Sequence, residues 1–130
     1  MTKKYFLSLL LLLIFSKSIA IEISCDSNYV TSSNTLRAIS LFSARSIAAS
    51  QADELAPDVE TRKNKVVTQT WKLNSSREEG KHLYVACGYQ DGSEIAKQIP
   101  NSVDICTFTF SNKPKLSPTD VKPSFTCFTK

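Results

Sequence analysis

Four cysteines, Cys25, Cys87, Cys106 and Cys127, are spread through a chain of 130 residues and constrain its fold more than any other feature. What they do depends on compartment, because thiols oxidise outside the cytoplasm and stay reduced inside it. The N-terminus decides that question. Lys3 and Lys4 precede an apolar run from Tyr5 through Phe15, interrupted only by Ser8. Ser18, Ile19 and Ala20 then put small residues at the minus-three and minus-one positions of a cleavage site. Residues 1–20 are therefore expected to be a secretory signal peptide, with the mature chain starting at Ile21. The apolar run is well short of the roughly 20 residues a membrane span requires. Cys25 follows Glu22, Ile23 and Ser24 and does not sit at the cleavage point, so lipidation is not expected.

The mature chain, residues 21–130, is about the size of one domain with one core. Lys3, Lys4 and Lys17 leave with the leader while every acidic residue stays, so a formal charge of +4 falls to about +1. Nucleic acid and stable membrane insertion are not expected partners. All four cysteines remain after cleavage, and an even number in an exported chain reads as two disulfides. No two of them have C-x-x-C spacing and His82 is the sole histidine, so no metal site is expected.

Most of the mature chain alternates. Ile21 to Ser24 is a candidate first strand, followed by a turn at Asp26, Ser27 and Asn28. Leu36 to Phe42 reads as a second. Ile47, Ala48, Ala49, Ala52 and Leu55 recur at helical intervals, Ser50 and Asp53 resemble a capping box, and Pro57 closes the element. The pattern predicts one short helix within residues 46–56. Residues 58–65, rich in both charge signs, read as a solvated connector.

Val67, Gln69, Trp71 and Leu73 share one parity, with Thr68 and Thr70 on the other. Leu83, Val85, Cys87 and Tyr89 form the next such face, and Asp91-Gly92 suits a tight hairpin turn. Glu94 to Ile99, with Lys97 among isoleucines, reads as a short or edge strand. Cys106, Phe108 and Phe110 share a face, as do Phe125 and Cys127. Pro114, Pro118 and Pro123 prevent a ladder between them. The expected fold is mainly β, an antiparallel sheet or a small barrel-like sandwich with one short helix.

Four cysteines allow three pairings. Cys87, Cys106 and Cys127 all point to the apolar side of their strands, and a hairpin about the proline-rich segment sets Cys106 nearly opposite Cys127. Cys25–Cys87 with Cys106–Cys127 is the preferred set.

No catalytic constellation stands out. His82 begins a strand beside Lys81, no G-x-S-x-G pattern is present, and Asp53 and Glu54 are adjacent and do not converge. Phosphate-cradling glycine motifs are absent, and no cofactor is expected. Lys113, Lys115 and Lys122 border the proline segment, with Phe108, Phe110, Phe125 and Phe128 around it. They form a candidate partner-binding loop stiffened by proline. The alternative is a solvated connector over a phenylalanine core.

The ordered set Cys25, Glu54-Leu55-Ala56-Pro57, Trp71, Tyr84-Val85-Ala86-Cys87-Gly88-Tyr89, Ile99-Pro100, Cys106-Thr107-Phe108 and Cys127 resembles a family of small exported proteobacterial proteins. Asp26 departs from the expected proline after the first cysteine, and Ser43-Ala44-Arg45 from an expected glycine-containing turn. The resemblance implies export and bridging and carries no catalytic residues. Size, compartment and disulfide-bonded β build are also similar to the periplasmic lysozyme inhibitors, though the chain has no Ser-Gly pair for their Ser-Gly-x-x-Tyr loop. The expected function is a periplasmic or secreted binding or inhibitor module with a protein partner, a lysozyme among the candidates. A hydrolase with acid and base assembled across the fold, or a structural envelope component, are the alternatives.

Overall fold

The computed structural model describes residues 21–47, 52–113, 117 and 119–129. The expected leader, residues 1–20, lies outside them. Nine strands follow in order: β1 (Ile21–Cys25), β2 (Leu36–Ala44), β3 (Asp53–Leu55), β4 (Val59–Lys63), β5 (Val66–Lys72), β6 (His82–Tyr89), β7 (Glu94–Gln98), β8 (Ile105–Ser111) and β9 (Ser124–Phe128). One sheet has the order β1-β9-β8-β5-β4 and the other β3-β2-β6-β7, with every pair antiparallel. Among the described residues both sheets keep free edges, so the expected β-rich sandwich is present and is not a closed barrel.

Alternation explains the layers. β5 buries Trp71, β8 buries Cys106 and Phe108, and β9 buries Phe125 and Cys127. From the other sheet, β2 contributes Leu41, and β6 contributes Leu83, Val85, Cys87 and Tyr89. The opposite parity of the first sheet carries hydroxyls: Thr68 pairs with Thr109 and Thr107 with Thr126. Trp71 meets Phe125 edge-on at 6.4 Å, and its Nε1 donates to the Leu55 carbonyl at 3.0 Å. A buried indole N–H needs such a partner, and here the partner belongs to the other sheet.

The preferred disulfide set is the one present. Cys106 and Cys127 stand directly opposite on β8 and β9, with Cα atoms 4.0 Å apart. Cys25 joins Cys87 across the two layers at a Cα separation of 5.9 Å.

Two sequence expectations are corrected. Within residues 46–56 the described part is no helix: Asp53–Leu55 is β3, paired with Leu41–Ser43 of β2, and residues 48–51 lie outside the described set. Pairing with β2 packs Leu55 against the core, a gain that outweighs the weak helical propensity of so short a segment. The helical turn that does occur among the described residues is a short 3-10 turn at Asn74–Ser76. The charged connector is also a strand, since Val59–Lys63 pairs with β5 in full register. All five of its side chains are exposed, as suits an edge strand defended by charge.

Two hairpins have the turn chemistry their sequences require. Asn64 and Lys65 both take positive φ, 52° and 62°, between β4 and β5. Gly92, at φ 87°, closes the turn between β6 and β7, where its N–H donates to Tyr89 at 3.0 Å. The latter is the Asp91-Gly92 turn expected from the sequence, and β7 is an edge strand as anticipated.

Candidate functional site

Residues 26–35 connect β1 to β2 across one end of the sandwich, and polar contacts inside and beneath them fix their shape. Asn28 and Thr35 form an isolated bridge, and the Leu36 N–H donates to the Ser27 carbonyl at 2.8 Å. Inside that neck, the Tyr29 N–H donates to the Asn34 carbonyl at 3.0 Å and the Asn34 N–H to the Thr31 carbonyl at 3.1 Å. Asn34 is the buried polar pivot. Its Nδ2 donates to the Tyr29 carbonyl at 3.2 Å, and its Oδ1 accepts from the Asp91 N–H at 3.0 Å. The Tyr29 ring packs on Tyr89 at 5.3 Å, and the Tyr89 hydroxyl donates to the Asp26 carbonyl at 2.8 Å. Burial raises the Tyr89 phenol above its ordinary range, with the nearby Asp26 carboxylate adding to the effect.

At the tip stands Val30, 87% exposed, with φ at 66°. The Thr31 N–H donates to the Tyr29 carbonyl at 2.8 Å, closing a γ-turn around it. A γ-turn with positive φ at its centre is the rare, strained form. A β-branched residue there is a true outlier, at a cost on the order of 1–3 kcal/mol.

The loop separates two clefts. One, of about 360 Å³, is bounded by Tyr29, Val30, Ser33, Asn34, Gln90 and Asp91. The Asp91 carboxyl is held below its usual range chiefly by the Ser93 hydroxyl and then by the Ser93 N–H. The other, of about 240 Å³, lies between Ser27, Ser32 and Thr35 on the loop and Asp120, Lys122 and Pro123 on the proline-bearing segment. The Ser27 hydroxyl ties the two segments by donating to the Pro123 carbonyl at 3.2 Å.

Of the three candidate lysines, the structure describes Lys113 and Lys122. Lys113 is turned onto its own segment, where it pairs with Asp120 at 2.5 Å. Asp120 also accepts from the Ser117 N–H at 2.6 Å. Together, Lys113 first, these donors hold the Asp120 carboxyl at about 2. Lys122 lines the smaller cleft beside the loop, and Lys115 lies outside the described residues. His82 is exposed at the start of β6. Among the described residues no three His, Cys, Asp or Glu side chains gather as a metal site would need.

The sequence marks the turn at Asp26 to Asn28 but not the ordered tip beyond it. A single aliphatic residue inside Asn28-Tyr29-Val30-Thr31-Ser32-Ser33-Asn34 was the available signal. The structure also joins two motifs of the resemblance, since the Leu55 carbonyl of Glu54-Leu55-Ala56-Pro57 accepts the Trp71 N–H.

The described residues thus form a disulfide-linked β-sandwich with an ordered loop projecting from one end. Comparison with known families gives that architecture a specific family: residues 31–128 match the model of the Type VI secretion system Tli immunity protein, and the chain belongs to this family. No curated protein and no solved structure matches it.

Proposed function

We propose that the chain is a periplasmic immunity protein that binds an effector toxin of a Type VI secretion system and inhibits it by covering the toxin's working surface. Family membership across residues 31–128 carries the reading. The two disulfides support its location, because cross-links of this kind persist in the oxidising envelope. The leader at residues 1–20 supplies the route there. The geometry supports this mode: a disulfide-linked scaffold that holds an ordered loop loses little freedom on binding, so more of the contact energy is left for affinity. The end of the sandwich bearing the Val30 loop and Lys122 is the face we assign to the toxin. With no Ser-Gly pair in the chain, lysozyme itself is not proposed as the target.

Co-culture tests the reading. Cells producing the full chain are expected to survive attackers armed with the Type VI effector, and cells lacking it are expected to be killed. A chain without residues 1–20 is expected to stay in the cytoplasm and give no protection. Equal survival of producers and non-producers would refute the proposal.

A further inference from the structure

Val30 is the most exposed of the four large hydrophobic residues found at the described surface, and the chain holds it there against its own backbone preference. The side chain itself points into water, while Asn34 is buried and Tyr29 stacks on Tyr89 beneath it. Strain held in place by surrounding structure is a mark of function. The rim around the tip is polar: Thr31, Ser32, Ser33 and Gln90 carry hydroxyls and an amide, and the Asp91 carboxylate accepts from the Ser93 N–H and hydroxyl. An apolar centre inside a polar rim is the anatomy of a protein interface.

We propose that Val30 is the anchor by which this chain docks on its effector toxin, seating its branched side chain in an apolar socket of the toxin rimmed by hydrogen-bonding groups. The proposal rests on the immunity reading and adds the contact residue. It also assigns the strain: a residue better suited to positive φ would relax the loop and leave the socket empty. Stability and binding are therefore opposed at this one position.

The opposition gives the test. The probe is the effector that kills cells lacking this chain and spares those producing it, titrated against mature protein with both disulfides intact. Val30→Asn, which accepts positive φ, is expected to raise the denaturation midpoint and weaken binding at least about tenfold, the loss set by leaving one aliphatic side chain unburied. Val30→Thr keeps the branched shape and the strain while replacing a methyl with a hydroxyl, so it is expected to weaken binding with little change in midpoint. Val30→Ile is expected to bind as the wild type does. Wild-type affinity in both the Asn and Thr variants overturns the anchor and leaves the immunity reading standing. A wild-type chain that fails to bind the effector at all overturns both.

Discussion

Cys25 on β1 and Cys87 on β6 belong to different sheets, and the bond between them is the covalent tie between the two layers of the sandwich. Cys106 and Cys127 instead staple neighbouring strands of one sheet. The two bonds close segments of 62 and 21 residues. They therefore restrict the unfolded chain to different extents.

Replacing both Cys25 and Cys87 with alanine is expected to cost roughly 4 kcal/mol, and replacing Cys106 and Cys127 roughly 3 kcal/mol, by the chain-entropy relation. Urea unfolding followed by the fluorescence of Trp71, the sole tryptophan, reports both losses on one scale. Equal tolerance of all four substitutions would mean that the bridges are incidental to the fold.

Ser43 sits on β2 at 1% exposure, and its hydroxyl has no hydrogen-bond partner among the described residues. Burying a hydroxyl without a partner costs on the order of 1–3 kcal/mol in proteins. Ser43→Ala is accordingly expected to stabilise the domain by up to about that amount, seen as a higher urea midpoint with an unchanged slope. A loss of stability would show that the hydroxyl is satisfied in solution.

Asp120 gives the proline-bearing segment a pH dependence. Its carboxyl lies at about 2, below its ordinary 3.8, because Lys113 and then Ser117 donate to the ionised form. A depressed folded-state value stabilises at pH above the ordinary one and is lost as pH falls through the folded one. The contacts of Asp120 with Lys113 and Ser117 are thus expected to persist at neutral pH and to fade between about pH 4 and pH 2. Asp120→Asn is expected to remove that step, with acid-protease cleavage between residues 113 and 123 as the readout. An identical acid profile in the variant would show that Asp120 contributes nothing to the segment's order.

Much of this fold was legible because interior strands carry alternation. Phe108 and Cys106 on one parity, with Thr107 and Thr109 on the other, record one dry face and one wet one, and the same parity set Cys106 opposite Cys127. β4 carries no such record. Its five side chains are all in water, so its sequence keeps only charge, and its place is fixed by backbone pairing with β5. β3 is too short to show a period, and the same residues fit a helical one; the Leu41 to Leu55 pairing decided between them. The site was the least legible part. Valine is the residue a sequence reader would last assign to positive φ, and the contacts that hold Val30 there come from Asn34 and from Asp91, far along the chain.

As an immunity protein, this domain is expected to recognise and silence a Type VI effector. Isothermal titration of residues 21–130, oxidised, into the purified effector tests it most directly, with toxin activity measured on the same samples. The expected result is a saturable one-to-one complex of submicromolar affinity in which the toxin is inactive. No heat of binding at micromolar concentrations, or a complex in which the toxin keeps its full activity, would contradict it.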